Sequence, residues 1–173
     1  LPDEVENEIE AYIDNQCAGL KLATGDDVGR VTCRTDGIKD YTDHLYESIN
    51  GDLSGLNVCI DCANGASAAA ARQLFPRLGA KCTFLGVSPD GRNINAGVGS
   101  THLDNLEKAV VEGGFDCGIA FDGDADRCLA CDEKGQEIDG DKIIALLAMN
   151  MKEKGCLDGN TAVVTVMSNL GFI

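Results

Sequence analysis

Positive charge is scarce in this sequence. Lys and Arg number 14 against 29 Asp and Glu, a formal net charge of −15. A surface of that sign repels nucleic acid and anionic lipid, and no cluster of basic residues offsets it. Cations are the expected partners, and an anionic substrate would need a bridging cation or a local arginine. Long apolar runs are missing too. Nothing approaches the roughly 18 apolar residues of a membrane span. The N-terminal LPDEVENEIE is acidic and amphipathic, unlike a secretory signal. There is no short-period repeat and no low-complexity tract. The chain lacks an initiator Met and stops just after an apolar run, TAVVTVMSNLGFI. The expectation is an excised part of a longer, cytoplasmic protein.

Cysteine, by contrast, is plentiful: nine residues, including the pairs Cys59/Cys62 and Cys128/Cys131. Paired CxxC knuckles would signal zinc. Both pairs here lie in strand-like runs, NVCIDC and CLACDE, where positions i and i+3 point to opposite faces. The sulfurs of each pair should diverge, and no glycine supplies a knuckle turn. Reduced, mostly buried thiols are expected.

A length of 173 residues is enough for one ordinary domain or one domain plus pieces of neighbours, and a hydrophobic fraction of 44% allows a substantial buried core. Helical spacing of Val5, Ile9, Tyr12 and Ile13 predicts a helix over 3–17. VTCRT (31–35) reads as a short strand and 36–50 as a second helix, followed by a loop, GDLSG, that suits a domain boundary. Periods then alternate: strand 56–62, helix 66–78, strand 80–86, a long Gly/Asn-rich loop 87–101, helix 102–113 and strand 115–121. CLACDE follows as a strand, EKGQE as a hairpin turn, 139–154 as a helix and TAVVTVM as a last strand. This order implies an α/β fold, a mostly parallel sheet with helices on both faces. Ligand groups in such sheets gather beyond the carboxyl ends of the strands. Three loops qualify: ANGAS, the glycine-rich loop and DGDADR.

DGDADR carries Asp122, Asp124 and Asp126 at alternate positions, just after an apolar strand. Three carboxylates this close repel one another unless a cation lies between them. Hard divalent ions bind through oxygen ligands. In a straight strand alternate residues stand about 6.5–7 Å apart, too far to share an ion. The motif therefore calls for a curved loop, with Gly123 and Ala125 as small spacers. A solvated acidic turn is the plainer alternative. An EF-hand fits Asp122, Asp124, Asp126, Leu129 and Glu133 in spacing, but Arg127 stands where the sharp turn needs glycine, and both flanks read as strands. A DxDx[T/V] phosphatase would want Thr or Val at position 126. Arg127 gains little in a pure cation site. Beside a metal-bound phosphate its planar fork could take further oxygens, whereas a structural pair with a nearby aspartate is the alternative.

These residues resemble the metal loop of the α-D-phosphohexomutases. CANGAS, NINAGVGSTHLDNL, IDGDKIIALLA and VVTVMSNLGF extend the likeness over almost the whole chain. Within that superfamily they most resemble the phosphoglucosamine mutase branch. The resemblance implies a four-domain enzyme of α/β sandwiches around a cleft. It would place residues 1–53 in the C-terminal part of domain 1, 54–135 as a complete domain 2, and 136–173 at the start of domain 3. It implies reversible phosphoryl transfer between glucosamine 6-phosphate and glucosamine 1-phosphate through a phosphoserine and a bisphosphorylated sugar. Mg²⁺ would be held by Asp122, Asp124 and Asp126, and Arg127 would contact the phosphoryl group. A phosphomannomutase or phosphoglucomutase of the same superfamily, or a non-catalytic calcium-binding module, are the alternatives. The partners would be a sugar phosphate and the remaining domains of the enzyme. No serine here stands in the family's nucleophile context, so this chain alone is expected not to turn over substrate.

The remaining candidates have plainer readings. Gly65 could supply a positive φ at a strand-to-helix turn and Ser67 could cap the following helix. Asn64, Gly65 and His102 are candidate substrate contacts, each with a structural reading beside it. Asp139 and Asp141 suit a helix start by capping and dipole.

Overall fold

The computed structural model describes residues 1–172; Ile173 lies outside the described residues. Two compact units are present, Leu1–Thr35 and Asp36–Ile173. In the first, α1 (Asp3–Asp14) forms over the expected amphipathic stretch and has no buried residue. The expected strand at 31–35 is absent, and Val31 is fully exposed. A β-branched residue favours extended backbone, but a strand needs a neighbour to complete its hydrogen bonds.

The second unit holds a five-stranded sheet ordered β2-β1-β3-β4-β5. The strands are β1 (Asn57–Asp61), β2 (Lys81–Leu85), β3 (Cys117–Phe121), β4 (Cys128–Asp132) and β5 (Glu137–Ile138). Three of them, β2, β1 and β3, run parallel. β4 and β5 continue the sheet antiparallel, as two successive hairpins. The parallel part matches the expectation from alternating periods, and the hairpins follow from connections too short for a crossover helix.

Helices α2 (Gly37–Ser48), α3 (Ser67–Arg77), α4 (Asp104–Gly113) and α5 (Gly140–Glu153) accompany the sheet. Side chains alternate across it. Val58, Ile60 and Cys62 join Ala68 and Ala71 of α3 on one face, with Cys117, Ile119 and Phe121 packed alongside. Cys59 and Ala120 join Leu106 and Val110 of α4 on the other, together with Cys131. Both faces of β1 are therefore covered, which is why its middle, Val58, Cys59 and Ile60, is apolar at consecutive positions rather than alternating. α2 lies over α3, where the Arg77 guanidinium pairs with Asp43 and sits 4.0 Å above the Tyr46 ring. The expected boundary near residue 53 thus falls inside this unit, between α2 and β1. No residue of α5 is buried. The expected last strand, TAVVTVM, is not formed. Val163, Val166 and Met167 are exposed, and among the described residues no strand pairs with them.

The connection after β1 leads to β2 on one side of it. The chain then crosses through α4 to β3 on the other side. The strand order therefore reverses between β1 and β3, and the crevice beyond their carboxyl ends is where such sheets place ligands.

Candidate metal centre

The DGDADR segment is the connection between β3 and β4, which pair from Cys117↔Asp132 to Phe121↔Cys128. It bends tightly, with Ala125 in the left-handed region at φ 63°. Carboxylate oxygens of Asp122, Asp124 and Asp126 all lie within 4.8 Å of one another. Opposite ligands of a hard divalent cation stand about 4–5 Å apart, so this spread suits one shared ion. The curved loop expected from the alternate aspartates is the one observed. Strands on both flanks, with Glu133 beyond the far end of β4, exclude the EF-hand arrangement.

The three aspartates differ in setting. Asp122 is buried, at 1% exposure, whereas Asp124 and Asp126 are exposed. The Arg127 backbone N–H donates to Asp122 Oδ1 at 3.0 Å, and its Nε donates to Oδ2 at 2.8 Å. The backbone donor above all, and then the guanidinium, hold the Asp122 carboxyl down at about 2. Asp126 is shifted the other way, upward, by its hydrogen bond with Asp122 and by the charges of Asp124 and Asp122. Three carboxylates share one guanidinium here, and an oxygen-liganded divalent cation fits the donor set. Arg127 forms the aspartate pair that was one of its two readings, while its side chain remains 63% exposed.

The loop is braced from two sides. Ala66, at the start of α3, donates its N–H to the Gly123 carbonyl at 2.9 Å. Ser100, at the end of the glycine-rich loop, donates its N–H to the Phe121 carbonyl at 3.0 Å. The three loops singled out by the sequence thus meet at the β1/β3 crevice.

Gly65 is not in the left-handed region; Ala63 and Asn64 are, at φ 53° and 52°. Its need for glycine comes instead from contact. A Cβ there would stand 2.7 Å from Gly123 Cα and closer still to its carbonyl oxygen. Ser67 does not cap α3. The N-cap is Ala66, and the Ser67 hydroxyl donates weakly to the Cys62 carbonyl at 3.5 Å. Asn64 ties the turn to the long loop: its Nδ2 donates to the Asn93 carbonyl at 3.4 Å and its Oδ1 accepts from Ser88 N–H at 3.0 Å. His102 is exposed, and its N–H donates to the Gly99 carbonyl. Asp139 caps α5 by accepting from Lys142 N–H at 2.8 Å, as expected, and Asp141 accepts from Asn169 N–H.

Sequence reasoning passed over Asp61. This carboxylate at the end of β1 is wholly buried. It accepts from Ala63 N–H at 2.9 Å and from Gly99 N–H at 2.8 Å. The signal was present: an acidic residue directly after the apolar Val58, Cys59 and Ile60, which are buried on both faces.

All nine cysteines are free thiols. Within each CxxC pair the sulfurs diverge as expected. Cys59 packs toward α4 and Cys62 toward α3, while Cys131 is buried and Cys128 exposed. Burial is less general than expected, with Cys17, Cys33, Cys128 and Cys156 exposed. No described helix is long and apolar enough to cross a membrane.

Comparison with known proteins agrees with this architecture. The family described as phosphoglucomutase/phosphomannomutase, alpha/beta/alpha domain II, matches residues 39–135. A phosphoglucosamine mutase of Clostridium tetani (strain Massachusetts / E88) is 52% identical over 172 residues, covering 99% of this chain and 38% of the relative. One of Thermobifida fusca (strain YX) is 53% identical over 172 residues, with the same shares. The chain thus spans well under half the length of these curated relatives. A solved phosphoglucomutase/phosphomannomutase family protein from Burkholderia thailandensis superposes with a TM-score of 0.65 at 22% identity, over 88% of this chain and 32% of that one, a likeness of fold. The three-layer fold, the acidic loop at its switch point and the extent of the match agree that the chain belongs to the phosphoglucomutase/phosphomannomutase family.

Proposed function

We propose that this chain is the metal-bearing part of a mutase that moves a phosphoryl group between the 6- and 1-positions of glucosamine phosphate. The observation that carries this reading is the convergence of Asp122, Asp124 and Asp126 at the crevice, in a chain half identical to phosphoglucosamine mutases along nearly its whole length. Plain hexose phosphates are the second reading within the family. The glucosamine reading is preferred because the relatives compared carry the phosphoglucosamine mutase name.

Asp122, Asp124 and Asp126 would hold Mg²⁺, which when bound would neutralise charge on the phosphoryl oxygens. The residues themselves contribute position and charge. Asp122 is fixed before any ligand arrives by the two Arg127 donors. Asp124 and Asp126 remain exposed and able to turn toward an ion. The Arg127 guanidinium would face the transferring phosphoryl group, where its charge is worth most as negative charge spreads over the equatorial oxygens. Asn64 and Gly65 would shape the crevice wall, and His102 would be a candidate contact for the sugar phosphate. In this reading the phosphoserine donor, the sugar-recognition loop and further domains come from outside these residues, by way of a bisphosphorylated sugar.

Two measurements test the reading. Calorimetric titration of this chain with Mg²⁺ should show binding that Asp124→Ala abolishes. The full gene product, assayed with Mg²⁺, should convert glucosamine 6-phosphate faster than glucose or mannose 6-phosphate. Equal rates would favour the plain-hexose reading, and no conversion of any of the three would defeat both.

A further inference from the structure

Asp61 is wholly buried at the end of β1, and its two hydrogen-bond partners are backbone N–H groups rather than cationic side chains. A buried carboxylate is costly to keep unless each oxygen is matched to a donor. Here each oxygen takes one donor, and the two donors come from different loops. Oδ1 holds Ala63 in the turn after β1, and Oδ2 holds Gly99 in the glycine-rich loop. The joint is tight. A Cβ on Gly86 would stand 2.5 Å from Asp61 Oδ1, and one on Gly99 would stand 2.5 Å from Ala63 Cβ and 2.7 Å from the Phe121 carbonyl oxygen. Asn95 N–H closes the same seam by donating to the Ala63 carbonyl at 3.0 Å.

Both loops joined by Asp61 also grip the acidic loop. The turn does so through Ala66 N–H on the Gly123 carbonyl, the glycine-rich loop through Ser100 N–H on the Phe121 carbonyl. These contacts bracket Asp122 on its two sides in the chain. We propose that Asp61 is a positioning residue for the metal centre: by fastening the two flanking loops to each other, it holds the backbone around Asp122 in the shape that brings the three carboxylates together. The inference rests on the acidic loop being a metal site. An apolar residue could fill the space but could not join the loops. Asparagine keeps one acceptor and turns its amide donor toward the other N–H.

The test uses Mn²⁺ as the probe, followed by its paramagnetic resonance, on this chain. Val110→Ala serves as the control, because Val110 lies on α4, buried in the core with Cys59 and Cys131, and its side chain makes none of the loop contacts named above. Asp61→Asn should weaken Mn²⁺ binding at least tenfold, while Val110→Ala, destabilised toward urea, should bind within twofold of wild type. Folded Asp61→Asn binding within twofold of wild type overturns the proposal. If Asp61→Asn does not fold, amide exchange in the wild-type chain decides. Coupling is reciprocal, so saturating Mg²⁺ must slow exchange at Ala63 and Gly99; unchanged exchange at both overturns it. Wild-type chain that binds no Mn²⁺ defeats the metal reading itself, and this inference with it.

Discussion

Arg127 grips Asp122 twice, once through its backbone N–H at 3.0 Å and once through Nε at 2.8 Å. Only the second grip depends on the side chain. Arg127→Ala should therefore leave Asp122 partly held and keep Mg²⁺ affinity of this chain within about threefold. In the full gene product the same change removes a charged donor from the transferring group, a loss on the order of 10²–10³ in kcat for comparable donors. Calorimetry on the chain and kinetics on the full product check the two halves. A fall in Mg²⁺ affinity as large as the fall in kcat would reduce Arg127 to a brace for Asp122.

Gly65 and Gly123 touch backbone to backbone, and the contact leaves no room for a methyl group. Gly65→Ala forces either the turn or the acidic loop to move. Overpacking of this kind costs about 1–3 kcal/mol, measurable as a lower urea midpoint. If the acidic loop is what moves, Mg²⁺ binding should weaken as well. Unaltered affinity in a destabilised variant would show that the turn alone yields.

Much of this site was readable in the residues. DxDxD after an apolar strand required a bend, since a straight strand cannot bring alternate carboxylates together, and the bend is there. The reason for Gly65 was not readable. Close approach of a second loop is a tertiary fact, while positive φ is the local guess, and the local guess went to the wrong residues. Asp61 was missed for a similar reason: its partners are backbone amides 2 and 38 positions away, and amides carry no sequence label. The strands expected at 31–35 and 161–167 failed differently. Their β-branched residues favour extension, but a strand is a pairing, and propensity names no partner.

The opposed shifts of Asp122 and Asp126 predict a pH signature. Asp122, held at about 2, stabilises the fold above the unfolded carboxylate value of about 3.9, and this contribution is lost as pH falls toward 2. Asp126 is raised, because Asp122 and Asp124 outweigh the Arg127 guanidinium 3.6 Å away, so in the metal-free chain its ionisation works against the fold as pH rises through its folded value. A bound cation reverses that second effect. The rise in Tm produced by Mg²⁺ should thus grow as pH climbs from about 4 and level off once Asp126 is ionised. A thermal melt series with and without Mg²⁺ measures it, and a rise in Tm independent of pH would mean Asp126 is not a ligand.

Asp124 offers the complementary trade. It is exposed and adds to the repulsion felt by Asp126. Asp124→Asn should leave the metal-free chain as stable or slightly more stable, by no more than about 1 kcal/mol for an exposed charge. The same variant should lose the Tm response to Mg²⁺. A stability loss without metal would place Asp124 in the architecture of the loop rather than in its ligand set.

The thiols separate by burial rather than by motif. Cys59 and Cys131 lie in the α4-side core, and burial pushes both up to about 11. Cys62 is buried on the opposite face and raised for the same reason. At pH 8 these three should resist an aromatic disulfide reagent until denaturant is added, since the thiolate is the attacking species. Cys17, Cys33 and Cys156 should react first. Cys128, exposed at its residue but with its thiol also raised by burial, should follow more slowly. Because the sulfurs of each CxxC diverge, the purified chain should carry no stoichiometric zinc. Zinc at one equivalent, released together with protection of Cys128 and Cys131, would mean that the end of β4 rearranges to bring those two sulfurs to one side.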